Sequence, residues 1–318
     1  MKKILLWLLI VIIPILLGGG IYQAYSTPIA PQPDPQWKSM ENSIKTRVQL
    51  FPGTAGIYIK DLKHGWVVEH NTSRLFASAS LVKLPIMAAL YTAQMDGRIS
   101  LDETIELNWR NKARGSGKLK FVRNGERFSV RYLIFKMITE SDNTATNMLT
   151  NQLGLEFYNH SFINMGLNHT NMSRTIMDLR QRDRGVENYT TANDMGKLLE
   201  MIYHNRIVGS SEMMEILKSQ TVNDRLPVPL PEDWQIGHKT GLLRNTCHDV
   251  GIVYSPNRDY IICVLTQNIR NYRRAKSFIR EVSHLTANYY TAAPKVIEEP
   301  SGKLFWSKII RRAAHERT

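Results

Sequence analysis

Three short strings, Ser80-Leu81-Val82-Lys83, Ser141-Asp142-Asn143 and Lys239-Thr240-Gly241, occur once each and in that order. Together they hold two serine hydroxyls, two amines and an amide. Those are the groups that a nucleophile, its base, a proton relay and an anion clamp require. Long stretches of chain separate the strings, so a fold that uses them must bring three distant segments to one cleft. Each string alone is weak evidence. The ordered set is specific.

The local settings suit those roles. Ser80 follows the small residues Ala77, Ser78 and Ala79 at the start of a helical stretch, and Lys83 lies three residues on, along the same face. A serine hydroxyl needs an adjacent base. A lysine serves as one only when burial or nearby positive charge lowers its pKa, and Lys239 supplies that charge if the third string borders the same cleft. Taken without the other strings, Ser80 reads as a helix cap and Ser141-Asp142-Asn143 as a turn. Taken with them, Ser141 passes a proton between Lys239 and a leaving nitrogen, and Asn143 binds a substrate amide and steadies Lys83. Lys239 and the Thr240 hydroxyl hold a substrate carboxylate, and Gly241 lets the substrate backbone approach. The amides of Ser80 and Leu242 form an oxyanion hole. Arg244, in a short turn, is a further candidate for the carboxylate, and His238 reads as structural.

Hydrophobic periodicity places these strings on elements. Trp37, Met40, Ile44 and Val48 recur at helical spacing up to Pro52-Gly53. Ala55 to Lys60 and Trp66 to Glu69 read as strands, and Ser80 to Met95 as a helix. The middle, from Asp102 to Leu217, reads as helices joined by polar loops. Trp234 to Thr240 reads as a strand, followed by a hairpin of Val250 to Tyr254 and Tyr260 to Leu265. Arg274 to Tyr290 closes the chain as a helix. The order implies an α/β fold with an antiparallel sheet, terminal helices against it and an inserted all-α lobe.

The ends read differently. Lys2 and Lys3 precede an uncharged apolar run, Ile4 to Tyr22, of the length that crosses a bilayer. The charge bias keeps the N-terminus cytoplasmic and exports the rest. Residues 1–23 are therefore expected to be a transmembrane anchor, with a cleaved signal peptide as the rival reading. Residues 24–36 carry Pro28, Pro31, Pro33 and Pro35, the composition of an extended spacer. Residues 37–293 form the folded domain. In 294–318, Phe305, Trp306, Ile309, Ile310 and Ala313 share one helical face against Lys308, Arg311 and Arg312. That pattern suits a membrane interface, or equally a terminal helix docked on the domain.

The net charge is +13. In an exported chain this points to anionic lipid or anionic wall polymer rather than nucleic acid. The run Arg110, Lys112, Arg114, Lys118, Lys120 and Arg123 reads as a solvated rim of the cleft. If Tyr254 faces Tyr260, Cys263 lies opposite Gly251, four residues from Cys247, too far for a disulfide. Two free, buried thiols are expected. No metal-ligand spacing and no cofactor motif is present.

At this point the chain resembles the class A β-lactamases and the related penicillin-binding peptidases over Met40 to Ala292. Beyond the three strings, the likeness rests on Val130-Arg131-Tyr132-Leu133 and on Met137 to Asn147. It also rests on Thr190-Thr191-Ala192-Asn193-Asp194-Met195, on His248 to Tyr254, and on Gly115-Ser116-Gly117. The resemblance implies the class A β-lactamase-like fold, with its five-stranded antiparallel sheet flanked by helices. It implies an acyl-serine intermediate on a β-lactam or a D-Ala-D-Ala-like peptidoglycan peptide. It also implies a glutamate in an E-x-x-L-N string to activate the deacylating water, and here Arg174 to Asp183 has no such string. Asp178 is the candidate substitute, with Asp183 behind it, and the stretch also reads as a shorter, purely structural loop. Glu187 lies close to Thr190-Thr191 and is set aside. A pocket kept for binding or sensing without hydrolysis is the alternative.

Overall fold

Asp34 starts the first helix. Its carboxylate accepts the Trp37 amide at 2.7 Å, and Pro35 follows in the first turn, where a missing N–H costs nothing. Helix α1 (Pro35–Leu50) therefore begins inside the stretch expected to be spacer. The computed structural model describes residues 32–292. The expected anchor (1–23), the earlier part of the spacer and the basic tail (294–318) lie outside the described residues. Among those described, no helix is long and apolar enough to cross a membrane.

After α1 come β1 (Thr54–Asp61), β2 (Val67–His70), β3 (Phe76–Ala77), a 3-10 turn (Ala79–Val82) and α2 (Lys83–Met95). The inserted lobe holds β4 (Thr104–Glu106), β5 (Arg127–Ser129), α3 (Val130–Thr139), α4 (Asn143–Asn164), α5 (Leu179–Asp183), β6 (Tyr189–Thr190), α6 (Ala192–Tyr203) and α7 (Ser210–Lys218). The chain returns through β7 (Gln235–Leu243), β8 (Thr246–Tyr254), β9 (Tyr260–Gln267) and α8 (Tyr272–Ala292). The main sheet is antiparallel throughout, in the order β2-β1-β9-β8-β7. This is the expected architecture, with β7 left as an edge.

Both faces of the sheet are buried, and alternation along β9 shows how. Ile261, Cys263 and Leu265 join the core of the helical lobe, while Ile262 and Val264 join the core under α1 and α8. Trp37 anchors the second core, edge-on to Trp66 at 5.7 Å and to Tyr289 at 5.3 Å.

Two local expectations need correction. Val253, not Tyr254, faces Tyr260, so Cys263 lies opposite Val250. The Ser255 hydroxyl bonds the N–H and C=O of Arg258, closing a tight turn that Tyr254 enters instead of pairing with β9. The thiols are free and buried as expected, and they face opposite cores. The helix expected from Ser80 opens as the 3-10 turn and becomes α-helical only at Lys83.

Trp37→Ala should cost about 3–5 kcal/mol. Read by calorimetry, the melting midpoint should fall by about 10 °C, with the chemistry of Ser80 unchanged in the folded fraction.

Candidate active site

Ser80 is set against edge strand β7 by close packing. A β-carbon on Gly241 would lie 3.1 Å from the His248 ring and 3.3 Å from Leu81 Cγ. The glycine therefore faces inward and lets the serine turn seat on the strand. This differs from the expectation that Gly241 opens room for substrate. His248 fixes the approach from below: its Nε2–H donates to Ala77 O (2.9 Å), and its Nδ1 accepts the Thr266 amide (3.0 Å). Burial pulls its pKa down to about 4, which keeps this tautomer neutral. Ala79, immediately before the nucleophile, has φ 48°, a strained conformation for a side-chain-bearing residue.

Lys83 is fully buried. Its Nζ lies 2.7 Å from Ser141 O, 2.7 Å from Asn143 Oδ1 and 3.2 Å from Ser141 Oγ. Burial first, and then the charge of Lys239, holds its pKa well below the usual lysine range, against an opposing pull from Asp142. Nζ donates to all three oxygens, and the Ser141 hydroxyl is the one partner able to donate in return to a neutral amine. Ser80 Oγ makes no hydrogen bond among the described residues.

Lys239 is also fully buried, donating to Thr240 O at 3.1 Å. Burial lowers its pKa to about 7, with Asp249 pulling upward and Arg225 downward. His238 is structural as expected, held between Asp249 (2.8 Å) and Asn223 (2.9 Å). Burial thus lowers the pKa of both lysines, and the charge of Lys239 lowers that of Lys83 further.

The serine-aspartate-asparagine turn is locked by a residue the sequence reading passed over. Buried Asp142 accepts the amides of Leu119 and Ala145, both at 2.9 Å. Asn143 donates its amide to Ser116 O (3.1 Å) and its Nδ2 to Arg114 O (2.8 Å). These bonds draw the 113–119 loop onto the turn so closely that a β-carbon on Gly117 (φ 93°) would lie 2.1 Å from the Asp142 carboxylate. The same contacts hold Ser141 at φ 53°.

The third wall is the segment from Met172 to Asn188. A cavity of about 210 Å³ is lined by Ser80, Asn143, Ile176, Met177, Leu179 and Leu242, among others. Ile176 is pinned by Asn147, which accepts its N–H (3.1 Å) and donates to its C=O (3.2 Å). Asp178 caps α5 by accepting the Gln181 amide and lines a separate depression, so the structure does not bring it to Ser80. Asp183 is exposed at the end of α5, and Arg244 is exposed at the tip of the β7–β8 hairpin. Among the described residues, Glu187 is the one carboxylate lining the cavity. Its Oε1 meets Arg174 and the Asn188 amide, and its Oε2 meets Arg182 at 2.9 Å. It serves as a clasp between Arg174, Arg182 and the Asn188 amide. No cluster that could hold a metal exists among the described residues.

A serine beside two buried lysines whose pKa values are both lowered, on an antiparallel sheet with an inserted helical lobe, defines an active-site-serine hydrolase. The chain belongs to the β-lactamase enzyme family, whose Beta-lactamase2 pattern matches residues 39–290. It is 25% identical over 256 residues to an imipenem-hydrolyzing β-lactamase of Enterobacter cloacae, covering 77% of this chain and 87% of that protein. It is 26% identical over 228 residues to a β-lactamase of Streptomyces albus G, covering 66% and 71%. Among solved structures it is similar to PBP-A, at TM-score 0.77 and 26% identity over 83% of this chain and 100% of that one. It is also similar to a β-lactamase from Sphaerobacter thermophilus, at TM-score 0.74 and 28% identity over 81% and 99%.

Two outcomes follow from this geometry. Gly117→Val should displace Asp142 and slow acylation by about 10²-fold or more, read as the second-order rate of labelling by a fluorescent penicillin. The wild-type labelling rate should fall as pH rises through about 7, because Lys239 of the free enzyme then loses the positive charge available to hold a substrate carboxylate. Lys239→Arg should retain labelling and lose this alkaline limb.

Proposed function

We propose that the protein is an exported, membrane-anchored serine hydrolase that acylates itself on a β-lactam or a D-Ala-D-Ala-like peptidoglycan peptide and releases the acyl group slowly. The observation carrying this reading is the buried Lys83, held by Ser141 and Asn143 behind Ser80. Ser80 Oγ attacks the amide carbonyl, and its proton passes to the neutral Lys83 amine. The carbonyl oxygen becomes an oxyanion between the Ser80 and Leu242 amides. Collapse breaks the C–N bond, and the leaving nitrogen takes a proton from Ser141, which is recharged from Lys83, its bonded partner at 3.2 Å, rather than from Lys239. Lys239 and Thr240 hold the substrate carboxylate, and Asn143 receives its amide.

Hydrolysis of the ester then needs a base for water. The wall facing Ser80 offers Ile176, Met177 and Leu179, and the carboxylate of Glu187 is fully engaged. Loss of a general base typically slows such a step by about 10²- to 10⁴-fold. The similarity to PBP-A agrees with this reading, since a leucine-to-glutamate mutant of that protein was captured as an acyl-enzyme complex with penicillin-G. Export and anchoring rest on the apolar run from Ile4 to Tyr22 with Lys2 and Lys3 before it.

An intact-mass time course of the full-length protein with excess benzylpenicillin tests the scheme. A penicilloyl adduct that forms quickly and persists is expected. Ser80→Ala should form none, and labelling that survived this change would refute the nucleophile. Ile176→Glu, which sets a carboxylate at a pinned position on the facing wall, should speed adduct decay by at least about tenfold. Tight penicillin binding with no adduct would instead favour a non-hydrolytic binding module.

A further inference from the structure

The rim of the cleft carries a charge arrangement that acylation does not use. From Trp109 to Arg123 there are six cations, Arg110, Lys112, Arg114, Lys118, Lys120 and Arg123, and no acidic residue. Lys112 and Lys120 lie back on the loop, donating to Val122 O and Gly115 O. Arg110, Arg114, Lys118 and Arg123 are exposed and enter no ion pair among the described residues. Two large aromatic rings stand among them, Trp109 67% exposed and Phe121 80% exposed. Each has a cation over one face, Arg110 at 5.2 Å and Lys120 at 5.0 Å. Across the cleft, exposed Arg180, Arg184 and Arg244 are likewise without ion pairs among the described residues.

This loop is not a loose appendage. Leu119 N to Asp142, Asn143 N to Ser116 O, Asn143 Nδ2 to Arg114 O and Ala113 N to Thr144 Oγ1 tie it to the turn that carries Ser141. The backbone that carries Arg114 and Lys118 is therefore fixed beside Gly115 and Ser116, which line the cleft. Unpaired like charges at such spacing repel one another, and a polyanion relieves that repulsion. Guanidinium forks match phosphate oxygens in two-point contacts, and exposed aromatic faces between them suit the rings or carbons of the linking units.

We propose that the Trp109–Arg123 loop is a docking surface for a flexible, linear polyanion of repeating phosphodiesters, of the kind carried by wall polymers, held alongside the cleft. A bilayer pressed onto this surface would close the mouth through which Ser80 is reached. A chain lying along the rim leaves it open. Docking would keep the enzyme beside polymer-linked substrate without entering the acylation chemistry.

The test compares the full-length protein, in uncharged detergent, with two triple variants. Arg110→Gln/Lys118→Gln/Arg123→Gln removes rim charge. Lys38→Gln/Lys45→Gln/Arg47→Gln removes equal charge from α1 on the other side of the sheet. The probe is poly(glycerol phosphate) of defined length, titrated by fluorescence anisotropy over a salt series. The rim variant should bind on the order of tenfold more weakly at low salt, its salt slope reduced by about one per lost cation. The α1 variant should bind like wild type, and all three proteins should be acylated by penicillin at the same rate. Equal weakening of both variants would overturn the proposal in favour of bulk charge. A DNA duplex of matched charge binding as tightly as the polymer would overturn the assignment of a flexible chain. Because penicillin labelling is read separately, a failure of acylation would be seen as such and would leave the polymer result standing.

Discussion

A lysine amine removed from water loses its hold on a proton, and the active site is organised around keeping Lys83 in that state. Full burial disfavours the ammonium, and Lys239 adds a like charge nearby. Two pure acceptors at 2.7 Å fix the remaining N–H groups. Were Lys83 exposed, it would stay charged at neutral pH and could not take the proton of Ser80.

Burying two lysines is costly, since each removed charge forgoes several kcal/mol of hydration, and the scaffold offsets this locally. Asp142 and Asp249 supply negative charge that pulls the Lys83 and Lys239 pKa values upward, so neither site is left without a counter-charge. Backbone strain accumulates in the same place. Ala79, Ser141 and Met177 are the positive-φ residues that are neither glycine nor asparagine among the described residues; Ala79 and Met177 line the cleft, and Ser141 holds Lys83. Dense hydrogen bonding of the 113–119 loop and of Asn147 holds these conformations. The site is rigid because the chain around it has no alternative that satisfies its polar groups.

How legible this was in the sequence differed by element. The residues that act by type and order, Ser80, Lys83, Ser141, Asn143 and Lys239, could be read from three strings, and the sheet from its apolar alternation. Features fixed by tertiary contact could not. Gly241 looks like room for substrate until His248 and Leu81 are seen behind it. Asp178 looks like a stand-in base until its carboxylate is found capping α5. Glu187 looks misplaced until Arg174 and Arg182 converge on it. The hairpin register slipped by one because a side-chain hydroxyl, not the backbone pattern, closes its turn. His248 and Asp142 lay within strings already noted, and their neighbours alone gave no sign of their work.

Whether Lys83 can act as a base depends on its lowered pKa, and NMR reads that directly. Lysine enriched at the ε-carbon, in wild type and in Lys83→Arg and Lys239→Arg for assignment, would be titrated across neutral pH. The expectation is a Lys83 resonance that titrates well below the usual lysine range and a Lys239 resonance that moves near pH 7. A Lys83 resonance that remains at the ammonium position until about pH 10, where an unperturbed lysine titrates, would contradict it.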